Sequence, residues 1–275
     1  KDLSSLDPNE LIWIFNSNKK YEKLIPRKRK KIATALKDSG LYVIADDENS
    51  NFGLVKLNKP NDGAPTGHSH FDILSIVLSH NNHKVFIDAG SFCYTLDSKK
   101  RDFYRSSFCH NIVTINNTEL SSMSSDIFAM NWGDIDIEII KWDTVGEKIN
   151  LIAQHDGYFK DFGCLVRRSI TYDLIKLYWE IEDEIIGDTN KIDSVNSNWL
   201  LAPDILTEYE KTQKDNSVIF YDYKSDIKFK FRNQQDLNFE KHVFSPSYGV
   251  EKDTQMIRTT FLKVDQKFKA SLKIW

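Results

Sequence analysis

Hydrophobic and polar residues alternate with a period of two along most of the chain after Gly40. Asp134 to Ile139 alternates strictly, which is typical of a strand with one solvated face. Because no long amphipathic helix separates such segments, the pattern predicts an all-β protein, a large antiparallel β-sandwich of stacked sheets. Strands are predicted at 41–45, 52–57, 73–78, 84–87, 112–115, 134–139, 151–155, 164–172, 177–183, 197–202, 217–222, 226–231, 257–264 and 267–275, and loops at 58–65 and 211–217.

The N-terminal residues follow a different pattern. Asp7-Pro8-Asn9-Glu10 places a capping carboxylate before a proline, and the apolar residues after it predict a helix over 8–16. A second helix is predicted over 27–37, ending near Gly40, a residue that suits a left-handed helix cap. The sequence therefore predicts a short helical segment at 1–40 and a sheet domain at 41–275.

Composition narrows the possible partners. The 275 residues include 37 Lys and Arg against 40 Asp and Glu, a formal net charge of -3, so no overall field attracts nucleic acid. The sequence has no run of eighteen apolar residues, and we expect no membrane insertion. Its three cysteines are odd in number and widely spaced, which does not indicate a disulfide framework.

Histidines and carboxylates concentrate between Gly67 and Asn111. If 66–72 is extended, His68, His70 and Asp72 share one face, because alternate residues of a strand point the same way. Asp88 ends a hydrophobic strand, and His110 opens another. Two histidines and a carboxylate make an acceptable zinc shell, and His70, Asp88 and His110 are the candidate ligands.

The same residues permit another reading. His70-x-Asp72 followed by His110 has the order of the two-histidine, one-carboxylate triad of non-haem iron oxygenases. Arg167 or Arg168 would then hold an oxo-acid cosubstrate. The spacing alone leaves this alternative open.

A longer set of motifs carries a resemblance. The chain resembles the C-terminal region of the heparinase II/III family of polysaccharide lyases from about Gly40 to its end. The motifs are Gly67-His68-Ser69-His70-Phe71-Asp72, Phe86-Ile87-Asp88-Ala89-Gly90 with Tyr94, Tyr104-Arg105-Ser106-Ser107, His110-Asn111, His155-Asp156-Gly157-Tyr158, Val166-Arg167-Arg168, Asn198-Trp199-Leu200-Leu201-Ala202-Pro203 and Ser245-Pro246-Ser247-Tyr248-Gly249.

The resemblance implies a stacked-sheet domain that follows an N-terminal α/α toroid. The toroid is missing from this sequence, and residues 1–40 would be its last part or a linker. The implied activity is β-elimination on an acidic, uronic-acid-containing polysaccharide by the complete protein, in the periplasm or outside the cell. His70, Asp88 and His110 would hold a structural zinc, and His68 would be the catalytic histidine of this domain.

Further site residues follow from the same motifs. Tyr94 and Tyr104 are candidate catalytic tyrosines, and Arg105, Asn111 and Arg168 are candidate substrate-binding residues. Ala89 and Ile112 stand where the family has Pro and Thr, which leaves the metal trio intact. The isolated chain is expected to keep zinc but lose most turnover. Besides the iron oxygenase, a non-catalytic carbohydrate-binding module and a uronyl C5-epimerase remain alternatives. His80, His83 and His242 are expected at the surface.

Overall fold

The computed structural model describes residues 32–59, 66–124, 126, 129–214 and 217–275. The predicted helix over 8–16, and the part of the second helix before Ile32, lie outside these residues. Cys93, Cys109 and Cys164 are buried free thiols. Within the described ranges no helix is long and apolar enough to cross a membrane.

Antiparallel strands arranged in three sheets make up most of this structure. In chain order they are β1 (Ala33–Leu36), β2 (Leu41–Asp46), β3 (Asn51–Lys56), β4 (Ile76–His80), β5 (His83–Phe86), β6 (Val113–Ile115), β7 (Ile137–Asp143), β8 (Lys148–His155), β9 (Cys164–Asp173), β10 (Tyr178–Gly187), β11 (Val195–Leu200), β12 (Tyr209–Lys214), β13 (Ser217–Asp222), β14 (Ile227–Arg232), β15 (Gln234–Ser247), β16 (Val250–Phe261), β17 (Lys263–Val264) and β18 (Lys267–Ile274). Two short helices, α1 (Ser98–Arg105) and α2 (Phe159–Phe162), interrupt them.

The sheets have simple strand orders. The first runs β1-β2-β3-β4-β5, the second β12-β13-β14-β18-β10-β9-β8-β7 with β17 beside β18, and the third β15-β16-β11-β6. Every strand pair formed by the described residues is antiparallel. The predicted antiparallel β-sandwich is therefore confirmed.

The sheets pack on one shared hydrophobic core. Phe86 at the end of β5 contacts Trp199 of β11 and Phe229 of β14, with ring centroids 5.0 and 6.3 Å apart. Gly53 in β3 leaves room for Trp179, since a Cβ there would lie 2.7 Å from the indole. Residues of all three sheets are thus in direct contact, and their apolar burial supplies the main stabilising free energy.

Some element predictions were wrong. Ala33–Leu36 forms β1 rather than the end of a helix, because its alternate side chains are half-buried and it pairs with β2. The loop predicted over 211–217 overlaps β12, an edge strand whose six residues are all exposed. Helix α1 was not predicted, although Asp97 accepts a hydrogen bond from the Lys100 amide at its start, as an N-cap residue does.

A buried ion pair joins the second sheet to the segments that carry the conspicuous histidines. Arg168 of β9 donates from Nε and Nη2 to the two carboxylate oxygens of Asp183, at 2.6 and 2.8 Å. Its Nη1 donates to the carbonyls of Leu74, at 2.9 Å, and Asn111, at 2.5 Å. The guanidinium therefore ties together the backbone segments that carry Leu74 and Asn111.

Candidate metal centre and adjoining surface

His70, Asp88 and His110 come together at one end of the first and third sheets. Their potential ligand atoms all lie within 4.8 Å of one another. Asp88 follows β5 and His110 precedes β6, whereas His70 lies in the loop before β4. His110 Nδ1 lies 3.0 Å from Asp88 Oδ2, and His70 Nε2 lies 3.3 Å from Ser91 Oγ.

The pKa values of all three groups in this cluster are shifted from their ordinary values. Burial lowers the pKa of His70 to about 4, and repulsion from His110 adds to the effect, so His70 is a neutral potential ligand at physiological pH. Desolvation is the largest influence on the pKa values of Asp88 and His110, and it disfavours the charged form of each. The attraction and hydrogen bond between them outweigh it, so the pKa of Asp88 falls and that of His110 rises.

One unsatisfied atom shows that the cluster fits a metal ion. His110 Nε2 is buried and has no hydrogen-bond partner among the described residues. An unpaired buried imidazole nitrogen is costly, and a metal ion drawn into this cluster offers compensation. Two imidazoles and one carboxylate also match the donors that zinc prefers, with a further position left for water or another group.

The alternative iron site, with Asp72 as its carboxylate, does not match the cluster in the structure, which contains Asp88 instead. Asp72 directs its carboxylate to Lys56 Nζ, 2.5 Å away. The expectation that 66–72 is extended was also wrong, because Ser69 donates its amide to the Thr66 carbonyl in a turn. As a result His68 is exposed while His70 is buried, and the two imidazoles do not share a face.

Arg105 holds this turn in place. Its Nε donates to the Ser69 carbonyl, and its Nη2 donates to the carbonyls of Thr66 and Ala129, at 3.1 to 3.2 Å. The side chain is 2% exposed. The predicted substrate-binding role is therefore replaced by a positioning role, in which Arg105 fixes the loop that presents His68.

Asn111 and Arg168 are also internal rather than substrate-facing. Asn111 donates to the carbonyls of Ile76 and Ile87 and accepts from the Leu200 amide, which ties the first sheet to the third. Both side chains are at most 1% exposed. Their burial contradicts direct contact with a polymer, because each one's hydrogen-bonding groups are used inside the domain.

Tyr104 is likewise buried, contrary to the expectation that it approaches a sugar. Tyr104 lies in helix α1 with its ring stacked against Phe92, and the Tyr104 hydroxyl donates to Glu251 at 3.0 Å. Burial, followed by the hydrogen bond to Glu251, raises the pKa of Tyr104 above its ordinary value. A tyrosine so placed is poorly suited to exchanging protons with a substrate.

His68 and Tyr94, in contrast, meet at the surface. Their ring centroids lie 4.5 Å apart in an edge-on contact, and Tyr94 is 36% exposed. Tyr248 continues the group, with its ring centroid 6.0 Å from that of Tyr94. Tyr248 was not predicted as a site residue, although it belongs to the motif Ser245 to Gly249.

The three histidines that were expected at the surface divide between surface and interior. His83 is exposed as expected, but His80 is 1% exposed and His242 is half-buried against Phe103, so both of those expectations were wrong. Burial lowers the pKa of His80 to about 4.

The fold and the cluster define a class of protein: an antiparallel sandwich domain with a two-histidine, one-carboxylate site at its strand ends. The family model described as Heparinase II/III-like, C-terminal, matches residues 28–274. The chain belongs to this family, which confirms the resemblance seen in the sequence motifs.

Solved structures agree with this assignment at the level of fold. A heparan sulfate lyase, HepC, from Pedobacter heparinus aligns with a TM-score of 0.71 and 19% identity, over 98% of this chain and 40% of that one. A heparinase III structure aligns with a TM-score of 0.72 and 17% identity, over 99% and 42%. The chain thus spans about two fifths of these proteins. No curated protein sequence matches it.

Proposed function

We propose that this domain is part of a polysaccharide lyase that cleaves a uronic-acid-containing polysaccharide by β-elimination. The observation that carries the proposal is the exposed His68, which lies two residues before the cluster residue His70 in the loop that Arg105 holds. Membership of the family and the fold shared with a heparan sulfate lyase support the same activity.

β-Elimination removes the proton on C5 of the uronate, forms the C4–C5 double bond and breaks the C4–O bond to the neighbouring sugar. The leaving oxygen takes up a proton. The reaction needs a base, an acid and a group that stabilises the charge developing on the carboxylate. His68 is exposed and can exchange a proton with a substrate at the surface, and its ring makes an edge-on contact with that of Tyr94.

We assign zinc to the cluster, in a structural role. His70, Asp88 and His110 would hold the ion, which would supply positive charge and cross-link three strand ends. Because His70 lies two residues from His68, such a cross-link would stabilise the loop that Arg105 also braces. The ion would thereby support catalysis by preserving the position of His68.

The domain would supply one half of an active site. We propose that an N-terminal α/α toroid provides the other half, that the residues before β1 belong to its end or to the linker, and that the protein acts in the periplasm or outside the cell. Proximity effects are large in catalysis, so the sheet domain without its partner is expected to have little turnover.

Metal content provides a first test. Purified protein should contain about one zinc per chain, and His70→Ala and His110→Ala should each lose most of it, because each removes one of three protein ligands. Elemental analysis of dialysed protein measures the content, with the exposed His83→Ala as the matched control. Iron in place of zinc, or equal zinc in all variants, would contradict the assigned site.

The activity is tested with the full-length protein on heparan sulfate, hyaluronan and alginate. The lyase proposal predicts products with a C4–C5 double bond, followed by their ultraviolet absorbance and confirmed by mass spectrometry. Inversion at C5 without chain cleavage would indicate an epimerase instead, and saturable binding without product a carbohydrate-binding module. Cleavage that requires oxygen and an oxo-acid would favour the iron enzyme.

A further inference from the structure

Two exposed tyrosine rings continue from His68 in a row, each in contact with the ring before it. The row consists of His68, Tyr94 and Tyr248. Tyr248 is 60% exposed and its ring is inclined by 36° to that of Tyr94. Single exposed aromatic residues are common on proteins, but a row that begins at a candidate catalytic imidazole points to a ligand.

The position of Tyr248 is set by backbone contacts rather than by packing of its own ring. Tyr248 lies at the turn between β15 and β16. The Ser245 amide donates to the Ala89 carbonyl, and the Gly249 amide donates to the Phe92 carbonyl, both at 2.7 Å. These bonds join the turn to the segment that starts at the candidate metal ligand Asp88.

Gly90 makes this close approach possible. Its φ is +77°, and a Cβ there would lie 2.2 Å from the Ser245 carbonyl oxygen. Any other residue would therefore push the turn away as well as strain the backbone. The hairpin tip is thus bound to the loop after Asp88, which also carries Tyr94.

We propose that Tyr248, together with Tyr94, forms a stacking subsite for a sugar ring next to the residue that reacts at His68. This inference rests on the proposed lyase function and adds a positioning residue to it. The apolar C–H face of a pyranose packs on an aromatic ring, and a half-exposed tyrosine offers that face while its hydroxyl stays in water. The hairpin tip would thus set where the polymer chain lies relative to the cleaved bond.

The test compares steady-state kinetics of full-length variants on whichever of heparan sulfate, hyaluronan and alginate the wild type cleaves fastest. Tyr248→Ala and Tyr248→Leu should each raise KM about tenfold, as expected when a ring contact of about 1.4 kcal/mol is lost, and leave kcat within about twofold. Tyr248→Phe keeps the ring and should retain the wild-type KM. Tyr223→Ala is the matched control, since Tyr223 is 57% exposed on a different hairpin.

The possible outcomes separate the two proposals. If the wild type cleaves a polymer but Tyr248→Leu keeps its KM, the stacking subsite is refuted while the lyase function stands. If Tyr248→Ala lowers kcat and zinc content together, the residue acts through the metal loop, which also refutes a stacking role. If the wild type neither cleaves nor binds any of the three polymers, both proposals fail.

Discussion

Arg168→Ala should destabilise the domain by about 3–5 kcal/mol, the range expected when one partner of a buried ion pair is removed. The substitution leaves the Asp183 carboxylate, whose side chain is 4% exposed, without its bidentate partner. It also removes a donor from the carbonyls of Leu74 and Asn111. Equilibrium unfolding in urea, followed by tryptophan fluorescence, measures the loss.

The neighbouring arginine provides the control. Arg167 points to the opposite face of β9, is partly exposed and donates to Gln154, so Arg167→Ala should cost less than about 1 kcal/mol. The double substitution Arg168→Met with Asp183→Leu should recover part of the stability, because it removes both charges. Equal losses for the two single alanine variants would show that the ion pair is not the main contribution.

These arginines also show what the sequence could reveal. The period-two pattern located most strands, including Ser217–Asp222 at its predicted bounds, because one face of each is buried. It also implied that only one of Arg167 and Arg168 faces outward. The pattern could not show which one, since the answer depends on Asp183 in the next strand and on carbonyls of distant segments.

Some strands escaped prediction for separate reasons. Strand β12 is exposed on both faces, and β1 consists of residues that suit a helix but pair with β2. The metal trio was predicted as a set because Asp88 and His110 stand at strand ends and the motif around His70 resembles that of the family. The burial of Tyr104, Arg105 and Asn111 was not predicted, because it depends on helix α1 and on contacts between sheets that the local sequence does not encode.

His68→Ala should reduce kcat/KM of the full-length protein by about 10²- to 10⁴-fold, the usual contribution of a general acid–base group. The imidazole is exposed and is not among the candidate metal ligands, so the variant should keep wild-type zinc content and stability. The combination of lost turnover and unchanged metal is the distinguishing result. A metal-ligand variant such as His110→Ala should instead lose both, because the loop would no longer be held.

His83→Ala is the matched control for this experiment, since it removes another exposed histidine, at the start of β5. Its kcat/KM should equal that of the wild type. Wild-type turnover in His68→Ala would remove His68 from the mechanism and leave the sheet domain with a supporting role. If His68→Ala loses zinc as well as activity, the imidazole acts on the metal loop rather than on the substrate. A catalytic role for His68 therefore requires that His68→Ala lowers kcat/KM while its zinc content stays at the wild-type level.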